Sequence, residues 1–142
     1  MSDVQYIQEM LKNTRTVAIP GMSNKADRPS FNIGRYLQTR GYKIYPVNPV
    51  LKEVHGVACY KTLSEADAAC RAETGEGIDL VDVFRAPEFV PAIVDEVIAL
   101  GIKNLWLQDG VTHDEAEAKA RAAGVNVVSD DCIYRRLMAV AP

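Results

Sequence analysis

Thr16-Val17-Ala18-Ile19-Pro20-Gly21-Met22-Ser23-Asn24-Lys25-Ala26-Asp27-Arg28-Pro29-Ser30 is the stretch on which the reading of this chain turns. Thr16–Ile19 is a brief apolar run, and Pro20-Gly21 ends it. A polar loop follows. Ser30 has the side chain of an N-cap and opens a helix expected to reach about Arg40, where Gly41 stops it. A strand that passes through a glycine turn into a helix N-terminus suits phosphate, because the first turn offers unpaired N–H groups and a partial positive charge. Gly21 lets the backbone approach a pyrophosphate closely. Ser23 and Ser30 offer hydroxyl groups. Lys25 and Arg28 supply full charges, and Arg28 can grip two oxygens at once. Taken alone, the loop reads equally well as a polar turn with a capped helix. Only the first glycine of the G-x-G-x-x-G fingerprint is present, which weakens a nicotinamide or flavin reading.

The alternation of strand and helix continues outward from this loop. Residues 3–13 place Val4, Ile7, Met10 and Leu11 on one face of a short amphipathic helix. Lys43–Val47 reads as a second strand and Val57–Tyr60 as a short third. Ser64 with Asp67 three residues on marks a helix start. Asp79–Phe84 is a fourth strand, apolar almost throughout, as in a sheet covered on both faces. Pro87 suits the first turn of the next helix, whose stripe is Phe89, Val90, Ile93, Val94, Val97 and Ile98, and Gly101 ends it. Asn104–Gln108 is strand five. Thr112 with Glu115 forms a capping box for a helix ending at Gly124. Val125–Val128 is strand six, and a last helix spans about Asp131 to Ala139. This is an α/β, Rossmann-like three-layer fold with a parallel sheet, expected order 3-2-1-4-5-6, in a single domain over residues 1–142. In that order the crevice for a ligand opens beyond the carboxyl ends of strands one and four, after Ile19 and after Phe84.

Composition narrows the function classes. The 142 residues include 16 Lys and Arg against 19 Asp and Glu, a net charge of −3 with no basic run, so nucleic acid is set aside. No apolar run approaches the roughly 18 residues of a membrane span, and the polar N-terminus is not a signal peptide. The expected compartment is the cytoplasm. Cys59, Cys70 and Cys132 are odd in number and lack metal spacing, so they read as small buried hydrophobes, with Cys132 near a helix start. His55 and His113 have neither zinc-ligand nor nucleophile–base spacing. No catalytic residue and no metal ligand is expected. Trp106 reads as core, and Asp79 and Asp82 face opposite sides of their strand.

Strand two ends in Tyr45-Pro46-Val47-Asn48-Pro49, without the carboxylate that holds the ribose hydroxyl in NAD enzymes. Asn48 spares a phosphorylated ribose that repulsion, and Pro46 and Pro49 offer a stiff wall for an adenine. With these segments in place, the chain resembles the small stand-alone CoA-binding proteins of the succinyl-CoA-synthetase-like Rossmann type. The matching elements are Val17–Ser23 with Asp27-Arg28-Pro29-Ser30, Gly41-Tyr42 with Pro46–Pro49, Asp79–Arg85, Trp106-Leu107-Gln108 with Gly110, and Val127-Val128 with Cys132. They run in order from residue 16 to about 135. Pro20 and the long polar stretch Arg71–Gly77 depart from the pattern.

The resemblance implies coenzyme A or an acyl-CoA at the C-terminal edge of the sheet, with no assigned reaction. The site residues are then Gly21, Met22, Ser23, Lys25, Arg28, Ser30, Val47, Asn48, Pro49, Phe84, Arg85, Gln108 and Gly110. A regulatory or sensing role fits a non-catalytic binder. The alternatives are a subunit or remnant of an acyl-CoA ligase, an NAD(P)-binding oxidoreductase domain, and a Rossmann scaffold that has lost its ligand. The sequence identifies no protein partner; a homodimer is compatible with it.

Overall fold

Five parallel strands occupy the centre of the computed structural model, which describes residues 3–140. The outermost residues of the expected domain, 1, 2, 141 and 142, lie outside the described residues. The strands of the sheet are β1 (Thr16–Pro20), β2 (Lys43–Val47), β5 (Leu80–Val83), β6 (Asn104–Leu107) and β7 (Asn126–Val128), in the order β2-β1-β5-β6-β7. α1 (Asp3–Lys12), α2 (Pro29–Thr39) and α6 (Ile133–Met138) bury Leu11, Leu37 and Ile133 against one face, where Val17, Ile19, Leu80 and Trp106 point. α3 (Leu63–Thr74), α4 (Val90–Leu100) and α5 (Asp114–Ala122) cover the other, where Ala18, Val81, Val83, Leu105 and Leu107 point. Every residue of β1 and β5 is buried, as a sheet covered on both faces requires. Among the described residues no helix is long and apolar enough to cross a membrane.

The third strand of the expected six-stranded order does not join the sheet. Residues 53–58 turn back on themselves as a two-stranded antiparallel hairpin, β3 (Glu53–Val54) and β4 (Val57–Ala58). His55 at its tip has φ +52° and Gly56 has φ +78°, backbone that belongs to a tight turn. Only Tyr60 pairs with the sheet, in a single parallel bridge to Val47.

Three helix starts also differ from expectation. Arg28, not Ser30, occupies the N-cap of α2, because Pro29 lacks an N–H and is pre-set for the first helical position. α3 starts from Thr62, whose Oγ1 accepts from the Glu65 N–H at 3.1 Å, and not from Ser64. Asp67 is buried and accepts from Arg71 Nε and the Ile78 N–H. α5 is capped by His113, whose Nδ1 accepts from the Ala116 N–H at 3.2 Å, while the Glu117 carboxylate accepts from the His113 N–H.

The two acidic residues of the fourth expected strand divide as their spacing requires. Asp79 accepts from the Arg15 and Thr16 N–H groups at the entrance to β1, and its own N–H donates to Thr16 Oγ1. Asp82 is fully enclosed, and neither carboxyl oxygen has a hydrogen-bond partner among the described residues. Burial pushes its carboxyl well above the usual carboxylate range. The unfolded chain ionises Asp82 near the ordinary value of about 3.9, whereas the folded chain keeps it neutral to higher pH. The cost of burying this group is therefore least below about pH 4 and grows as pH rises toward the folded-state value, lowering stability by about 1.4 kcal/mol per pH unit. Urea unfolding across this range is expected to show the decline in the wild type and its loss in Asp82→Asn. An identical slope in both proteins assigns the titration to another group.

Candidate functional site

The site begins where β1 ends. The Phe84 N–H donates to the Pro20 carbonyl at 2.9 Å, and the Gly21 N–H donates to the Val47 carbonyl at 3.2 Å. Gly21 has φ +84°, and a Cβ there would lie 2.6 Å from the Phe84 carbonyl oxygen. Glycine is therefore required by space as well as by conformation. Gly34 on α2 meets a similar demand, because a Cβ there would sit 2.5 Å from Cε of the fully buried Met22.

The loop between β1 and α2 is held by its serines. The Ser23 N–H donates to the buried Ser30 Oγ at 2.9 Å, and the Lys25 N–H donates to Ser23 Oγ at 3.1 Å. Arg28 makes no capping contact with its side chain, which stays exposed beside the helix start. The N–H groups of Met22, Asn24 and Ser30 have no acceptor among the described residues. Free N–H groups, a helix N-terminus and two cations thus converge, a combination that favours a phosphate group.

Asn48 fixes this loop to the neighbouring one. Its Nδ2 donates to the Met22 carbonyl at 2.8 Å, and its Oδ1 accepts from the Val50 and Leu51 N–H groups at 2.8 and 3.0 Å. The amide is consumed in positioning backbone.

A cavity of about 670 Å³ opens over these elements. Gly21, Met22, Ser23, Lys25, Arg28 and Ser30 line it from the first loop. Asn48 and Pro49 line it beyond β2, and Phe84 and Gln108 beyond β5 and β6. Val47 and Arg85 lie instead on a second cavity of about 240 Å³, on the α3 and α4 side, which shares Gly21 and Pro49 with the first. Gly110 lines neither; its N–H donates to Asp130 Oδ1 at 2.8 Å and closes a turn. Gln108 also has a structural bond, its Oε1 accepting from the Ile133 N–H at the head of α6.

Several lining residues escaped the sequence reading. Ile33, Leu51, Val111 and Cys132 also line the first cavity, and of these only Cys132 carried a sequence signal, its place near a helix start. Lys61, Thr62, Phe89 and Glu96 are among those of the second. Arg85 holds its guanidinium over the Phe89 ring, 3.8 Å from the centroid. Burial pushes the Glu96 carboxyl up. Asp109, on the rim of the first cavity, is bound by both arms of the Arg135 guanidinium at 2.6 and 2.7 Å, which holds its carboxyl below the usual range. Neither histidine lines either cavity: His113 caps α5, and His55 Nε2 donates to the Phe31 carbonyl.

Known proteins resemble this chain in sequence and fold. Residues 15–138 match the family profile described as a CoA binding domain. The uncharacterised protein YneT of Bacillus subtilis is 33% identical over 127 residues, covering 89% of this chain and 88% of that protein. A hypothetical protein from Pyrococcus horikoshii OT3 superposes with a TM-score of 0.86 at 30% identity, covering 97% of this chain and 92% of the other. An ADP-forming acetate–CoA ligase of Methanocaldococcus jannaschii is 28% identical over 90% of this chain, which spans only 18% of that protein.

Asn48→Asp tests whether the two loops are held as the geometry shows. The change replaces the amide donor with an oxygen facing the Met22 carbonyl. It is expected to cost about 1–3 kcal/mol in urea unfolding, because an acceptor loses its partner and meets a like dipole. Unchanged stability removes Asn48 from its positioning role.

Proposed function

The chain belongs to the CoA-binding-domain family, and from that premise we propose that it binds coenzyme A or an acyl-CoA across both cavities. The pyrophosphate takes the larger cavity, against Gly21, Ser23 and Ser30, with Lys25 and Arg28 supplying charge. The adenosine end takes the smaller one. There Val47 and Pro49 offer an apolar wall, and Lys61 and Arg85 supply positive charge for a ribose phosphate. The observation that carries this reading is the junction at Gly21, where both cavities meet over a backbone with no side chain in the way.

The end of β2 favours coenzyme A over NAD. No carboxylate stands there for a ribose hydroxyl, and the Asn48 amide is engaged with backbone. A non-catalytic role, in regulation or in sensing acyl-CoA, is supported by the polar groups of the larger cavity. Asn48, Gln108 and Asp109 are all committed to holding the fold, and no histidine lies within reach. The similarity to part of an ADP-forming acetate–CoA ligase favours, as a second reading, one component of a larger acyl-CoA ligase.

Titration calorimetry with coenzyme A, dephospho-CoA, NAD and ADP separates these readings. Coenzyme A is expected to bind most tightly, and NAD binding of equal strength overturns the proposal. Mass spectrometry of the natively purified protein is expected to find a co-purified CoA species. Arg28→Ala should weaken coenzyme A and dephospho-CoA alike, by about 1.5–3 kcal/mol for a charge-assisted contact, with little change in melting temperature. Lys61→Ala should weaken coenzyme A alone. Equal losses for both ligands in Lys61→Ala place the ribose phosphate elsewhere.

A further inference from the structure

Asp82 lies two residues before Phe84, on the sheet face that meets α2 and α6. Phe84 lines the larger cavity and carries the Gly21 backbone on its carbonyl. Two residues of strand span roughly 7 Å, so the enclosed carboxyl sits one layer beneath the cavity floor. Its pairing partner on β6 is Trp106. The surrounding layer is apolar, formed by residues such as Ile19, Met22, Ile33 and Ile133.

The titratable groups of that layer are Cys132 at the head of α6, Tyr6 on α1, Tyr36 on α2, and Tyr42 and Cys59 at its margin. Charged groups stand at the cavity rim, Lys25, Arg28 and Asp109 with its bound Arg135, and before α6, where Asp131 pairs with Arg136 and its carbonyl accepts from the Trp106 indole N–H. Burial alone governs the Asp82 carboxyl. An orphaned carboxyl on a central strand costs stability, and such groups concentrate at functional sites.

Resting on the coenzyme A reading, we propose that Asp82 links the site to protons: a phosphate-bearing ligand in the larger cavity binds the form in which Asp82 is neutral. Where Asp82 starts out ionised, binding transfers one proton from solvent to its carboxylate. The cause is like-charge repulsion across a dry layer. At a separation of roughly 10 Å and an effective dielectric constant of about 20, one phosphate charge and one carboxylate change the affinity on the order of tenfold. By reciprocity the ligand shifts the ionisation of Asp82 by the same factor.

The test is titration calorimetry with dephospho-CoA, whose pyrophosphate keeps its charge between about pH 5 and 9. Two buffers of different ionisation enthalpy report the protons taken up. The wild type is expected to take up a fraction of a proton per ligand within this range, and its affinity should fall about tenfold as pH rises through the transition. Asp82→Asn and Asp82→Leu should show neither effect. Binding without uptake, uptake that persists in both Asp82 variants, or uptake that disappears in Cys132→Ser overturns the assignment. Absence of any binding by dephospho-CoA and coenzyme A overturns the coenzyme A reading itself, and the linkage with it.

Discussion

The C-terminal edge of this sheet is organised by the contact of the Gly21 backbone with the Phe84 carbonyl. β1 and β5 lie side by side, but the segments after them turn to opposite faces, one toward α2 and the other toward α4. The crevice between those segments is the space a ligand can enter. Gly21 stands at its base and belongs to both cavities. Hydrogen bonds tie the end of β1 to β2 on one side and to β5 on the other. A side chain at position 21 would force these strands apart, and the shape of both cavities depends on its absence.

Around that point the charges are sorted. The chain carries a net −3, yet its cavities present cations. The ion pairs among the described residues bind Asp109 and Asp131 to Arg135, Asp131 to Arg136, Asp67 to Arg71, Glu73 to Lys43, Asp95 to Lys119 and Glu117 to Arg121. None of these pairs involves Lys25, Arg28, Lys61 or Arg85. Pairing these acids with other bases, Asp109 on the cavity rim included, leaves the four cations of the cavities without a carboxylate partner. An acidic protein can therefore present an anion site without a basic surface.

The parts of the fold legible in sequence were those with simple physical signals. Thr16–Ile19 and Lys43–Val47 are short apolar runs closed by glycine or proline, and both are strands. A strand does form at Val57–Ala58, but its expected place in the parallel sheet failed because the chain around His55-Gly56 adopts left-handed backbone and folds into a hairpin. Helix starts slipped by one or two residues where several capping side chains stand close together, as at Thr62 and Ser64 or Thr112 and His113. The phosphate-loop residues were readable because they are contiguous. Lys61 and Glu96 were not, because the second cavity joins the beginning of α3 to the side of α4. The part Asn48 plays depends on where the Met22 carbonyl points, and no pattern in the sequence records that.

The lone Tyr60 bridge also bears on self-association. β2 is an outer strand, and its free edge would ordinarily invite a strand from another chain. Tyr60 occupies that edge by donating to the Pro46 carbonyl and accepting from the Asn48 N–H. Pro46 itself has no N–H to offer on that side. At the opposite edge, β7 has only three residues. Neither margin is a good template for growing a sheet from molecule to molecule, so edge-to-edge aggregation is disfavoured even when the crevice is empty.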